Sequence, residues 1–590
     1  MNVQTINDIF FNVVQRDLPR IMLHKKNAEW VPISSRELYR NVVGVARVLR
    51  SWGIAKGDRV AILSENRPEW AVADFASMLL GAAVVPIYPT LTADQTLYLL
   101  NDSGARVIFV STPVQLEKVL SIRDHTALEH IVLMEDGASE SAAPMRDLMA
   151  KGPTERDPDF DRQALAVAPC DLATIMYTSG TTGTPKGAML TQGNLASNLF
   201  HSLDFYGLGP SHLSISFLPL SHITSRHVDY AMFWHGVTIA YCPIIDELKQ
   251  VLAEVHPTVL VGVPRVYEKL HNQVIEKIGN GSKRKLYEWA IKVGRKNRYA
   301  IFDGKRPRDP RWMLADLLVY SKIRKSLGGR VQVFVSGGAP LNRDLIDWYG
   351  SIGIRIFEGY GMTETSPVIA LNNPKAYRPG SVGRCLSNLQ VRIADDGEIL
   401  VKGPSVFQGY WNKALETATA FEGGWFHTGD IGHIDEDGFL YVTDRKKDLI
   451  KTSGGKFIAP QPIELSLKSN PLVAEAAVIG DRRKFPMVII APQFSALERW
   501  AMEAGVSAPH RESLVADERV QALYKEIVGE ANQKLARFEK IKKVLVVPDE
   551  FTVANGALTP TLKLKRRVIE ERYGDLIDRV YSAPVDSAAA

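Results

Sequence analysis

Apolar residues recur at three- and four-residue spacing through ELYRNVVGVARVLRSWG (37–53), the pattern of one buried helix face, and the run stops at Gly53. DRVAILSEN (58–66) then compresses its apolar residues into a short block, the signature of a buried strand. The alternation continues with a helix in EWAVADFASMLLGA (69–82), a strand in VVPIY (84–88), a helix in ADQTLYLLNDSG (93–104) and a strand in RVIFV (106–110). Strand and helix in strict turn predict α/β layers on largely parallel sheets. TVLVGVP (258–264), VQVFVSGGAP (331–340) and IRIFEGYG (354–361) each pair an apolar strand with a glycine-rich exit. Ligands of open α/β sheets bind at such carboxyl strand ends.

From about residue 389 the rhythm changes. LQVRIADDGEILVKGPSVFQGYW (389–411) and GFLYVTDRKKDLI (438–450) read as antiparallel strands with Asp-Gly turns. The charged run DRKKD (444–448) marks an expected domain boundary. The expectation is a large domain over 1–443, a hinge at 444–448, a small α+β domain over 449–582 and a disordered tail over 583–590.

The chain has 590 residues, too many for one ordinary core. Its 45% hydrophobic and 23% charged composition suits a soluble globular enzyme, and a net charge of +5 does not suggest nucleic-acid binding. Three scattered cysteines, Cys170, Cys242 and Cys385, make neither a disulfide framework nor a metal cluster, which fits a reducing cytoplasm. No signal peptide is visible, and the uncharged run 75–93 is broken by Pro86 and Pro89, so it reads as core rather than a membrane span. Residues 283–330 hold 15 basic and 4 acidic side chains. A solvated helical face is the simpler reading of that stretch, with anionic headgroups or CoA phosphates as the alternative.

DLATIMYTSG (171–180) feeds a strand into TSGTTGTPKG (178–187). Gly180, Gly183 and Gly187 allow close backbone approach, while Thr178, Ser179, Thr181, Thr182, Thr184 and Lys186 offer hydroxyls and one positive charge. These groups suit phosphate oxygens, although a mobile Thr/Gly loop has the same composition. The order is not that of a Walker A loop, because Gly187 rather than Ser or Thr follows the lysine.

YTSGTTGTPKGAMLTQGN (177–194) resembles the signature of the AMP-forming acyl-CoA synthetase, or adenylate-forming, superfamily. YGMTE (360–364), WFHTGDIG (425–432), DRKKDLIK (444–451) and GVPRVYEKL (262–270) follow in the family's order. GVPRVYEKL and LPLSHITSR (218–226) look most like the long-chain fatty acid branch. The resemblance implies a large adenylate-forming domain of layered α/β sheets with a β-rich subdomain, and a small mobile C-terminal domain. It implies ATP, Mg²⁺ and coenzyme A, with a fatty acid joined to AMP and then to the CoA thiol. A medium-chain or aryl acid is an alternative substrate, and an acyl-AMP ligase without CoA transfer an alternative activity. A carrier-protein adenylating domain is disfavoured, since no carrier domain follows residue 590. Peripheral contact with the inner face of a membrane and a homodimer are left open.

On the same resemblance, Thr178 and Glu364 hold Mg²⁺, and Ser179, Gly180, Thr181, Thr182, Gly183 and Lys186 surround the phosphates. Gly338 and Ala339 give bare backbone for nucleotide and acyl group. Glu358, Gly359, Tyr360, Gly361 and Thr363 frame the base, with Tyr360 stacked on adenine. Asp430 accepts from the ribose hydroxyls, Arg445 contacts ribose and phosphate, Lys447 is the hinge, and Lys451 opens the glycine-rich stretch KTSGGKFIAP (451–460) near the CoA channel. His222 borders the acyl pocket. Arg226 stands where some relatives carry a gating tryptophan, which puts that gate in doubt. In ALTPTLKLKRR (557–567), Lys563 neutralises the α-phosphate, with Lys565 as second choice; Leu562 stands where a glycine is usual.

Overall fold

Val60 and Ile62 face one core and Ala61 and Leu63 another, so the strand Arg59–Leu63 is covered on both sides. That is the burial expected of a parallel strand, and it explains the unbroken apolar run. The computed structural model describes residues 3–137, 139–178, 184–279, 281–452, 457–559 and 564–582. Among them the first sheet has seven strands. Ala143–Pro144, His130–Leu133, Val107–Val110, Arg59–Leu63, Ala83–Ile87 and Leu172–Thr178 lie side by side in parallel, and Lys186–Thr191 closes the edge antiparallel.

A second sheet of nine strands is parallel through its middle, from Ile356–Gly361 across Val333–Ser336, Val259–Gly262, Leu213–Ser216 and Thr238–Tyr241 to Met22–Lys26. Val259, Val261, Val333 and Val335 share one core with Val60 and Ile62 of the first sheet. The largest core therefore lies between the sheets. The helices Ser35–Ser51, Pro68–Leu79 and Ile223–His235 contribute their apolar residues to it. Leu260 and Phe334, on the opposite face, pack on the outer helices Pro264–Ile278, Ser282–Phe302 and Arg343–Ser351.

The stretch after residue 389 forms a third, antiparallel sheet. Gln390–Ile393 pairs with Glu398–Lys402 through the Asp396–Gly397 turn, and Trp425–Ile434 pairs with Leu440–Arg445. Beyond it, Val473–Ile479, Met487–Pro492 and Lys543–Val546 form a small mixed sheet with helices on both faces. Its two cores contain no residue before Ile450. Among the described residues, side chains that reach across to the larger body include Arg265 with Glu475 at 3.7 Å and the Ala474 carbonyl at 3.4 Å, and Asn342, which donates to the Leu465 carbonyl at 3.0 Å. Residues 444–448 are held unevenly between the two bodies. Lys446 pairs with Asp396 at 2.6 Å and Glu398 at 2.9 Å, whereas the buried Asp444 accepts from the backbone of Gln461.

Candidate active site

Strands Leu172–Thr178, Val333–Ser336 and Ile356–Gly361 end in the segments that carry most of the expected site residues. Thr178 pairs with Lys186 in the antiparallel register, so both stand at the base of the loop between them. The loop residues Ser179, Gly180, Thr181, Thr182 and Gly183 lie outside the described residues. The segment 408–411 is laid along the Lys186–Thr191 strand: Met189 N donates to Gly409 O at 3.0 Å and Trp411 N to Gly187 O at 2.7 Å.

This added segment places Tyr410 between two expected site residues. Its hydroxyl donates to Glu364 Oε1 at 2.8 Å, and Lys186 Nζ lies 5.4 Å from its ring centroid. Phe407 N donates to the Glu364 carbonyl at 2.8 Å, so the same segment holds that residue's backbone as well. Burial and the Glu364 carboxylate together push the Tyr410 phenol far above its ordinary range, which keeps it a proton donor. Sequence reasoning missed Tyr410. It stands in a stretch legible only as strand and turn, and no apolar period marks it.

Gly361 has a steric reason to be glycine. A Cβ there would stand 1.8 Å from the Pro367 carbonyl oxygen, so the chain can fold back over it only without a side chain. This turn carries the short helix Thr363–Thr365 and sets Glu364 in a buried position. One residue before the glycine, Tyr360 donates its hydroxyl to Asp430 Oδ2 at 2.7 Å. Arg445 Nε meets Asp430 Oδ1 at 3.2 Å, and Asp430 and Arg445 are register partners. The sheets thus bring Tyr360 to the Asp430–Arg445 pair from 70 residues away in sequence. Each carboxylate oxygen still has a lone pair for a ligand hydroxyl. Gly338, at φ +80° and exposed with Ala339, follows the buried end of its strand.

Thr178 and Glu364 offer a hydroxyl and one carboxylate, both hard oxygen donors. Among the described residues no cluster of three or more His, Cys, Asp or Glu forms a metal cage. One carboxylate completed by substrate phosphates is the usual way to bind Mg²⁺, so the donor set fits that ion.

Two family models cover the chain: the AMP-binding enzyme model matches residues 10–411, and the AMP-binding enzyme C-terminal domain model matches 447–584. The chain belongs to the AMP-binding enzyme family. It is similar to a long-chain-fatty-acid–CoA ligase of Mycobacterium bovis, 36% identical with 96% of each chain covered. A long-chain-fatty-acid–CoA ligase of Xenopus laevis is 32% identical, with 98% of this chain and 84% of that one covered. Among solved structures, ATP-bound MatB from Rhodopseudomonas palustris gives a TM-score of 0.70 at 26% identity, covering 98% of this chain and all of that one. An anthranilate CoA ligase in complex with anthranoyl-AMP shares the fold, with a TM-score of 0.74 at 21% identity and 98% of each chain covered. The protein is thus an adenylate-forming acid–thiol ligase.

The remaining expected residues of this AMP-binding enzyme fall in different settings. Glu358 is buried, with its carboxylate accepting from Gly380 N at 3.0 Å, and burial raises its pKa to about 8. Its side chain therefore supports the 380 turn. Lys447 is exposed by surface area, yet desolvation by the protein around it, with Arg445 nearby, lowers its pKa, and the carboxylates of Asp448, Asp430 and Glu364 act in the other direction. Lys451 is exposed, with its backbone N–H on Asp481 at 3.0 Å. His222 caps the helix Ile223–His235, its Nδ1 accepting from Thr224 N at 3.2 Å.

The expectation of Arg226 at an acyl entrance needs correction, because the residue is 1% exposed and sits in the core. Its guanidinium is bound to Asp74 and donates to Tyr230 and to Thr174, each at 2.8 Å. Burial pulls its pKa down, and the adjacent Asp74 carboxylate more than offsets this, so the arginine stays charged. The sequence could not show the partner, which lies 152 residues away. Lys563 lies outside the described residues. Leu558 and Leu564 form a backbone bridge on either side of its segment, and Lys565 begins the helix Arg566–Arg572.

Proposed function

We propose that the protein activates a long-chain fatty acid with ATP to an acyl-adenylate, releasing pyrophosphate, and then transfers the acyl group to the thiol of coenzyme A. The observation that carries the substrate class is the near full-length likeness to long-chain-fatty-acid–CoA ligases, at 31–36% identity in bacterial and animal relatives. ATP is the nucleotide that the family and the ATP-bound neighbour support.

The chemistry asks for positioning and charge neutralisation rather than a protein nucleophile, since the substrate carboxylate itself attacks the α-phosphate. In this reading Lys186 and the loop after Thr178 hold the phosphates. Thr178 and Glu364 hold Mg²⁺, which supplies neutralisation of phosphate charge when bound. Asp430 receives the ribose hydroxyls, with Tyr360 and Arg445 fixing its carboxylate. Gly338 and Ala339 leave backbone exposed to nucleotide and acyl group. Lys563, brought in by the small domain, balances the charge that builds on the α-phosphate. It must then withdraw for the thiol to reach the acyl carbon, and rotation about Lys447 provides for this.

The test is thioester formation with acids from acetate to oleate, together with benzoate and cinnamate. A clear optimum at long chains is expected. An aryl or medium-chain optimum replaces the substrate assignment while keeping the reaction, and acyl-AMP accumulation without thioester removes the second step.

A further inference from the structure

The helix Pro310–Ala315 continues through a π turn, Asp316–Tyr320, into the helix Ser321–Ser326, forming one rod on the outer side of the second sheet. Its inner face is fully used. Trp312, Ala315, Tyr320 and Ile323 are buried in the outer core with Ala290 and Ile291, and the Tyr320 hydroxyl donates to the Ala290 carbonyl. Its outer face is also apolar. Met313 is 53% exposed, Leu314 49%, Leu317 71% and Leu318 37%. These positions repeat at three and four residues, so they lie together as one ridge. Exposed apolar residues scattered singly are ordinary; four on one ridge of a helix whose other face is already packed call for an occupant.

The charge around the ridge says which occupant. Asp316 is the only acidic residue from 310 to 326, and its carboxylate is taken by Arg306 and Arg324. Arg308, Arg311, Lys322 and Lys325 are exposed, and among the described residues no carboxylate pairs with their side chains; Asp309, just before the rod, accepts from the Arg311 backbone at 2.9 Å. They stand within the 283–330 stretch of 15 basic and 4 acidic residues. A symmetric contact with a second copy would press this positive surface against itself. A layer of anionic headgroups over hydrocarbon matches both features. No described helix is long and apolar enough to cross a membrane, so the geometry is that of a rod lying in the interface.

We propose that this rod docks the protein on anionic lipid surfaces, with Met313, Leu314, Leu317 and Leu318 inserted below the headgroups and Arg308, Arg311, Lys322 and Lys325 on the lipid phosphates. The docking does not depend on which acid the active site takes. Vesicle flotation of the full chain tests it, using phosphatidylcholine alone and phosphatidylcholine mixed with phosphatidylglycerol. Binding to the mixed vesicles only, lost at high salt, is expected. Combining Met313→Ser, Leu314→Ser, Leu317→Ser and Leu318→Ser should weaken it more than about tenfold. Arg308→Gln, Arg311→Gln, Lys322→Gln and Lys325→Gln should each weaken it about fivefold. All variants should keep the parent's circular dichroism and its thioester-forming rate in detergent. Failure of the parent to float with anionic vesicles, or equal flotation by the apolar variant, overturns the proposal. So does a parental dimer that the Ser substitutions convert to monomer, since the ridge would then belong to a second copy.

Discussion

The Tyr410 hydroxyl donates to Glu364 over 2.8 Å while Lys186 stands over the same ring, so one tyrosine ties a carboxylate to an ammonium from a different strand. Tyr410→Phe keeps the ring and removes the donor. A hydrogen bond to a charged group contributes about 1.5–3 kcal/mol, so the expected loss in adenylation rate is about tenfold or more, with a raised Mg²⁺ requirement. Isotope exchange between pyrophosphate and ATP at varied Mg²⁺ measures both. An unchanged rate and Mg²⁺ dependence would show that Glu364 needs no help from Tyr410.

The lysine assignment separates the two half-reactions. Lys563→Ala should abolish adenylation while largely sparing thioester formation from supplied acyl-adenylate. Lys565→Ala, at the start of a helix, should leave both nearly intact. A full first-step rate in Lys563→Ala would move the role to Lys565.

Arg226 and Asp74 form a buried pair, and losing one partner strands the other charge. Arg226→Ala should destabilise the large domain by about 3–5 kcal/mol. Joining Asp74→Leu to Arg226→Met should recover part of that loss, because apolar volume then replaces the pair. Urea unfolding of the three proteins side by side is the measurement. A midpoint unmoved by Arg226→Ala would refute the account of a core ion pair.

Glu358 gives stability a pH dependence of known sign. Its folded pKa, raised by burial to about 8, lies above the ordinary carboxylate value of 4.5. The folded state therefore holds its proton more tightly. This contribution is fully present below about pH 4.5 and is lost as pH rises towards 8. Glu358→Gln should flatten that part of the curve, with little change at pH 5 and a gain in apparent unfolding midpoint at pH 8. Parallel curves for the two proteins would contradict the assignment.

The layered fold was legible because parallel strands buried on both faces must be continuously apolar, as VVPIY and RVIFV are. Asp-Gly turns announced the antiparallel sheet equally well. Within the site, the strand-end motifs showed where Thr178, Gly338 and Glu364 stand along the chain. Side-chain direction was not legible. Glu358 turns to the Gly380 backbone and Arg226 into the core, because each is satisfied by a partner far away in sequence. Tyr410 was invisible for the same reason: its importance comes from a strand-edge addition that joins residues 408–411 to 187–189.

Lys446 is held by two carboxylates of the antiparallel sheet, Asp396 and Glu398. If the small domain swings, the torsion cannot begin upstream of that anchor. The pivot proposed at Lys447 then lies directly beyond that anchor, and whatever the small domain carries would travel on an arc measured from there. Length added on the near side of the anchor would leave this arc unchanged, whereas a single residue inserted beyond it would send what the domain carries to the wrong place.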